Sequence, residues 1–121
     1  MREVKREEIG KKKPENLINE CILMIEKQLG CKIPDTLLSC QRLRNHIHDM
    51  ILRCMQEEKL KISINEEIIE QYRPSYKIAC YLYEEVEKQL QKKPDIKEIG
   101  YLAIHIQRCM EEMMAEKEET E

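Results

Sequence analysis

Apolar side chains recur at steps of three and four residues along most of this chain, and that period restricts what it can fold into. The first such segment opens at Pro14 and ends at Gly30, and a second follows Asp35, a plausible N-cap, and runs to about Glu58. A short third segment begins at Asn65, whose side chain can cap it. Because residues three and four apart share one face of an α-helix, the pattern predicts amphipathic helices that each bury one face.

Two further helices follow in the second half of the chain. Pro74 fits the first turn of a fourth helix, where its missing N–H would have no partner in any case. Asp95 and Glu98 form a capping-box-like start for a fifth. Residues 59–64 alternate apolar and polar side chains, but the chain offers no second strand to pair with, so we predict an extended linker. The sequence therefore predicts an all-α fold, a compact five-helix bundle.

A single domain is expected over residues 14–115, with the fifth helix ending near Ala115. The chain has 121 residues, which is enough for one hydrophobic core. Residues 1–13 carry mixed charge and few apolar side chains, so we interpret them as a charged N-terminal tail or a short flanking helix. Residues 116–121 are mostly acidic and are expected to form a frayed C-terminal tail.

The composition excludes several classes of protein. A net charge of −3 supplies no basic field, so direct binding of nucleic acid by this chain is not expected. No run approaches the about 18 apolar residues of a membrane span. The charged N-terminus lacks the apolar core of a secretory signal. We therefore expect a cytoplasmic protein with no membrane contact.

The six cysteines do not form a metal or disulfide motif. They lie nine or more residues apart without a C-x-x-C pair, and the sequence has no sign of secretion. We expect reduced cysteines inside apolar helix faces, no bound metal and no cofactor. No exposed nucleophile is marked beside a histidine, so the chain is not expected to be an enzyme.

Four charged or titratable side chains share one face of the second helix. Arg42, His46, Asp49 and Arg53 are separated by four, three and four residues. A carboxylate beside an imidazole orients one ring nitrogen, and arginines near the same ring suit a phosphate group. A phosphate-accepting histidine needs this set, although a half-exposed histidine in ordinary helix salt bridges shows the same pattern. His48 faces nearly the opposite way and is expected at the surface or as a hydrogen-bonded polar group at an interface.

A second histidine, His105, lies on a polar stripe of the fifth helix. Glu98, Tyr101, Arg108 and Glu112 share that stripe at steps of three or four residues. The surrounding apolar residues also allow a buried histidine that is hydrogen-bonded to a neighbour. Because neither histidine accompanies a metal or nucleophile motif, the two indicate a regulatory switch rather than catalysis.

Three segments resemble the motifs of the PTS regulation domain (PRD), which occurs in bacterial antiterminators and activators controlled by the sugar phosphotransferase system. Glu98–Ile106 reads EIGYLAIHI and closely resembles the signature of this family. Leu43–Arg53 is similar to the family's first histidine motif, with an arginine seven residues after the histidine. Tyr72–Ala79 has the family's spacing of tyrosine and alanine residues. The resemblance spans residues 14–113, essentially one whole domain.

The resemblance implies a compact five-helix bundle that forms homodimers. It also implies that His105 and His46 are phosphorylation sites, with the phosphocarrier protein HPr or a sugar-specific enzyme II component as the donor. In this family, phosphorylation rearranges the dimer and switches transcription by antitermination or activation. The resemblance thus implies a phosphorylatable regulatory domain that senses the status of the phosphotransferase system.

Six side chains are predicted to support the phosphate: Arg53, Arg108, Arg42, Asp49, Asn45 and Tyr101. The arginines would pair with the roughly two negative charges that each phosphoryl group adds, and the tyrosine would donate a hydrogen bond. Asn45 stands where the family has an aspartate, so it keeps a hydrogen bond without the charge. Asp49 would supply that charge from a different angle.

A second interpretation stays open. The helices would form a dimerisation or docking surface, and both histidines would be structural rather than phosphorylated. Tight dimerisation together with resistance to phosphorylation would favour this non-phosphorylated interaction module.

Overall fold

A computed structural model describes residues 14–119. That range contains five α-helices and no strand, which confirms the predicted all-α five-helix bundle. The helices are α1 (Pro14–Leu29), α2 (Leu38–Gln56), α3 (Asn65–Gln71), α4 (Arg73–Leu90) and α5 (Glu98–Glu119). Helix α5 extends past its predicted end at Ala115, so the acidic residues as far as Glu119 are helical rather than frayed. The predicted N-terminal tail, residues 1–13, lies outside the described residues.

Helix ends follow local sequence signals in one place and tertiary contacts in another. Gly30 adopts a φ of +73° directly after α1, a left-handed conformation that glycine takes at little steric cost. The prediction of Asp35 as an N-cap is wrong, because α2 begins without a side-chain cap. The N–H of Ser39 instead donates to Glu112 Oε1 of α5 at 2.7 Å. A carboxylate from another helix therefore accepts a backbone N–H in the first turn of α2, as a capping side chain would.

Helix α5 lies at the centre of the bundle, where it packs chiefly against α4 and α2. Helix α1 packs across α2 and α4, and the short α3 packs against α5 and α4. Leu102, Ala103 and Ile106 of α5 are completely buried, because this helix meets neighbours on more than one side. Fully burying a leucine or isoleucine side chain contributes about 1.5–3 kcal/mol, so α5 is a main anchor of the core. Among residues 14–119, no helix has the length and apolar character needed to cross a membrane.

Residues 59–64 form a non-helical linker without strand pairing, in agreement with the prediction. Asp95, just before α5, accepts the backbone N–H of Leu60 at 2.8 Å and that of Lys97 at 3.1 Å. Burial opposes ionisation of Asp95, but the two N–H donors, together with the charges of Lys97 and Lys59, outweigh it and lower the pKa of the carboxyl. The ionised side chain thus ties the linker to the start of α5.

Asn65 joins α3 to α5, so its predicted role as a side-chain cap of α3 is wrong. Its Oδ1 accepts the N–H of Gly100 at 2.8 Å, and its Nδ2 donates to the carbonyl of Ile96 at 3.0 Å. A Cβ atom at Gly100 would lie 2.5 Å from Asn65 Oδ1 and 3.1 Å from Asn65 N. The two helices approach this closely because the residue at this position has no side chain.

Gly100→Ala is expected to lower the free energy of unfolding by about 1–3 kcal/mol, because the added methyl group overpacks this contact. The preference of a helix for alanine over glycine, about 1 kcal/mol, offsets part of that cost. Urea unfolding followed by circular dichroism measures the difference. Asn65→Ala removes the obstructing oxygen and serves as the control background, in which Gly100→Ala should cost less. Equal costs in both backgrounds would contradict the proposed clash.

Candidate functional site

Three pairs of polar groups line the contact between α2 and α5, which run antiparallel; in the first pair Ser39 contributes its backbone N–H. The pairs are Ser39 with Glu112, His46 with His105, and Arg53 with Glu98. Successive members on each helix are seven residues apart, which is about two turns and returns the side chain to the same face. We term this row the polar seam. Its register follows from the sequence spacing of both helices once they pack antiparallel.

The two histidines meet at the middle of the polar seam. Their rings are stacked, with centroids 4.5 Å apart and planes inclined by 27°. The side chain of His46 is 13% exposed, and its Nε2 is buried without a hydrogen-bond partner among the described residues. Burial, the neighbouring His105 and Arg53 together lower the pKa of His46 to about 3, against a smaller opposing effect of Asp49.

His105 is partly buried on the other side of the stack. Burial lowers its pKa first, and the positive charges of Arg108 and Arg42 lower it further. Both imidazoles are therefore neutral at pH 7. A neutral imidazole keeps one unprotonated ring nitrogen, whose lone pair can accept a proton, a metal or a phosphoryl group.

A buried ion pair closes one end of the site. Arg53 donates to both oxygens of Glu98, at 2.8 Å from Nε and 3.0 Å from Nη2. Glu98 is 1% exposed, whereas the side chain of Arg53 is 23% exposed. The Oε1 of Glu98 also lies 3.9 Å from Nε2 of His46, too far for a hydrogen bond. The bidentate geometry is the strong form of an arginine–carboxylate contact.

Three of the predicted phosphate-supporting residues, Arg42, Arg108 and Asp49, lie near the histidines and form no ion pair with one another. Arg42 and Arg108 are exposed, and their charges reach His105. Neither arginine forms a salt bridge within residues 14–119. Asp49 is mostly exposed and lies 3.5 Å from the imidazole of its neighbour His48, while its charge still acts on His46.

The other two predicted side chains point elsewhere. Asn45 is exposed and lines a surface cavity between α1 and α2, together with Ile22 and Pro34. The hydroxyl of Tyr101 donates to the carbonyl of Ile62 at 2.9 Å and so fastens the linker. The structure thus brings the arginines and Asp49 toward the histidines and leaves Asn45 and Tyr101 in other contacts.

Two buried thiols lie beside the Ser39–Glu112 end of the polar seam. Cys40 and Cys109 place their sulfur atoms 2.6 Å apart, and burial raises the pKa of both thiols. All six cysteines are free. Thiols of this kind are poor nucleophiles because the thiolate is disfavoured. Within residues 14–119, no three histidine, cysteine or carboxylate side chains are grouped so that they could hold a metal ion.

Sequence reasoning placed Glu98 on the polar stripe of α5 but did not assign it to the site. The sequence does carry the signal, because Glu98 precedes His105 by seven residues and Arg53 follows His46 by seven. In an antiparallel helix pair, equal spacings in opposite directions bring the two outer residues together. The sequence does not state that the two helices pack antiparallel, and without that direction the contact between Glu98 and Arg53 cannot be predicted.

Comparison with known proteins gives one match. A family model described as PRD domain matches residues 17–109, most of the 121-residue chain, including both histidines and the Arg53–Glu98 pair. No curated protein and no solved structure shows significant similarity to the chain.

Proposed function

Because this chain belongs to the PRD domain family, whose members are regulatory domains governed by the sugar phosphotransferase system, we propose that it senses that system through phosphorylation of His105 and His46. The observation that carries the proposal is the stacked pair of imidazoles, neutral at pH 7 and flanked by cations. Arg42 and Arg108 are exposed and outside any salt bridge of the described residues, so they are available to a phosphate. The family is regulatory rather than catalytic.

The donor in this proposal is a phosphohistidine on HPr or on a sugar-specific enzyme II component. One N–P bond breaks in the donor while one N–P bond forms to the acceptor imidazole, so the exchange needs no cofactor. Each group adds roughly two negative charges at the polar seam. The charge attracts Arg42 and Arg108 and repels Glu98, and thereby changes the forces that hold α2 against α5.

The output we propose is a change in a cytoplasmic homodimer that controls transcription by antitermination or activation. Large apolar side chains remain exposed on four of the five helices, which supports a surface that a second copy could cover. They include Leu23 of α1 at 63%, Leu38 of α2 at 53% and Tyr81 of α4 at 50%. Family membership supports the link to transcription, and the acidic chain itself is not proposed to contact nucleic acid.

The test is phosphate transfer from phosphoenolpyruvate through enzyme I and HPr, followed by intact mass and acid lability. The unmodified chain is expected to gain one or two acid-labile phosphates. The double substitution His46→Ala and His105→Ala is expected to abolish the gain while leaving helicity intact, and His48→Ala serves as the matched control. Phosphate uptake that persists in the double variant would refute the site assignment.

A non-phosphorylated dimerisation or interaction module is the second candidate. The stacked rings and the buried Nε2 of His46 favour it, because they also suit two histidines with a structural role. Under this alternative the chain resists every phosphohistidine donor and still forms a tight dimer by sedimentation equilibrium.

A further inference from the structure

Glu98 places a negative charge beside one histidine and not beside the other. Its carboxylate is almost completely buried, and its Oε1 lies 3.9 Å from Nε2 of His46. Both carboxylate oxygens accept hydrogen bonds from Arg53. The nearest guanidinium to His46 in the polar seam is therefore already bound to an anion.

A phosphoryl group on His46 would meet two obstacles. It would bring a second anion next to the buried carboxylate of Glu98, where a low local dielectric strengthens the repulsion. It would also have to take Arg53 away from a bidentate pair, since that arginine donates to Glu98 through two nitrogens. The buried Nε2 of His46 offers no solvent-exposed place for the new charge.

His105 lies in the opposite electrostatic setting. The charges that act on it are the cations of Arg108 and Arg42, both exposed at the surface. Neither arginine is engaged in a salt bridge within the described part of the chain. A phosphoryl group on His105 therefore finds two available guanidinium groups and no adjacent carboxylate among the charges that shift its pKa.

We propose that Glu98 sets the order in which the two histidines are phosphorylated, favouring His105 and slowing phosphorylation of His46. Glu98 acts as a positioning residue, both through its own charge and by holding Arg53. The inference rests on the proposed function, since it concerns the distribution of phosphate between the two acceptor sites. With Glu98 uncharged, Arg53 becomes available and His46 becomes a faster acceptor.

The experiment is Glu98→Gln, phosphorylated by phosphoenolpyruvate, enzyme I and HPr, with the phosphate localised by peptide mass under alkaline conditions. The ratio of phosphate on His46 to that on His105 is expected to rise about tenfold or more, because a charge-assisted hydrogen bond from Arg53 becomes available. Glutamine keeps the shape and one acceptor oxygen, and Arg53 is partly exposed, so the variant should fold. Circular dichroism checks that it does.

Two variants control for indirect effects. Glu112→Gln neutralises the carboxylate at the other end of the polar seam, which binds the N–H of Ser39, and should leave the ratio unchanged. Glu98→Asp retains the charge and should keep the preference for His105. An unchanged ratio in Glu98→Gln would overturn this inference and leave the proposed function standing. If neither the unmodified chain nor any variant takes up phosphate, both the proposed function and this inference are overturned.

A second measurement leaves Glu98 in place and does not depend on the folding of Glu98→Gln. In the otherwise unmodified chain, His46→Ala should retain most of the rate of phosphate uptake. His105→Ala should lower that rate about tenfold or more, because the remaining acceptor, His46, lies beside the carboxylate of Glu98. The reverse ranking of the two single variants would overturn the proposal.

Discussion

Arg53→Ala is expected to lower the free energy of unfolding by about 3–5 kcal/mol, because it strands a carboxylate in the protein interior. Glu98 is 1% exposed beneath Arg53, so the substitution removes two charge-assisted hydrogen bonds from a carboxylate that the fold keeps buried. Its other near neighbour in the polar seam is the neutral imidazole of His46, which offers no charge to balance it. Urea unfolding at pH 7, followed by far-ultraviolet circular dichroism, measures the loss.

Two substitutions test whether the loss comes from the buried pair. Arg44→Ala removes another arginine of α2, one that bonds to Asn19 Oδ1 at the surface, and should change stability by no more than about 0.5 kcal/mol. Arg53→Lys should fall between alanine and the native residue, because an ammonium group neutralises the charge without the bidentate geometry. A loss below about 1 kcal/mol for Arg53→Ala would show that Glu98 finds other partners.

Acidification from pH 7 to pH 4 is expected to lower the free energy of unfolding by about 3 kcal/mol through His46 alone. In the folded chain its pKa is about 3, against 6.5 for an unperturbed histidine. Between these values the unfolded chain binds more protons, so stability falls as the pH falls. The loss begins near pH 6.5 and continues until the folded pKa is reached. His105, whose pKa is also lowered, adds to the loss in the same direction.

His46→Leu isolates the contribution of this side chain. Leucine does not titrate and removes a buried nitrogen that has no hydrogen-bond partner among the described residues, so stability at pH 7 should stay near that of the native chain. Its loss between pH 7 and pH 4 should be smaller by about 3 kcal/mol. The control is His48→Gln on the same helix, where the side chain is 44% exposed. The same pH dependence in His46→Leu and the native chain would contradict the explanation.

Local patterns in the sequence predicted the helices, and tertiary contacts decided how several of them begin. The apolar period and the prolines gave the order and number of helices, because both act within one turn of the chain. The expected caps at Asp35 and Asn65 were wrong. Glu112 supplies the missing acceptor for α2, and Asn65 serves α5 instead. Such long-range partners leave no trace in the local sequence.

The candidate site divides in the same way. Helical spacing identified His46 and His105 as members of polar faces, and the family motifs singled out the same two residues. The resemblance added Asn45, and spacing added Tyr101, whereas the structure turns Asn45 toward a surface cavity and Tyr101 toward the linker. A position on a helix restricts the direction of a side chain only to within a broad arc, and the neighbouring helix decides the contact.

The sequence by itself determined the all-α class, the five helices and the choice of His46 and His105 as candidate site residues. It could do so because periodicity and motifs are properties of residues close together in the chain. Only the tertiary structure decided that α2 and α5 run antiparallel in a register that stacks the imidazoles of His46 and His105. The same register buries Glu98 against Arg53, next to His46, while His105 faces the exposed charges of Arg108 and Arg42. Packing creates this difference, because charges interact strongly only when folding brings them together and removes the water between them.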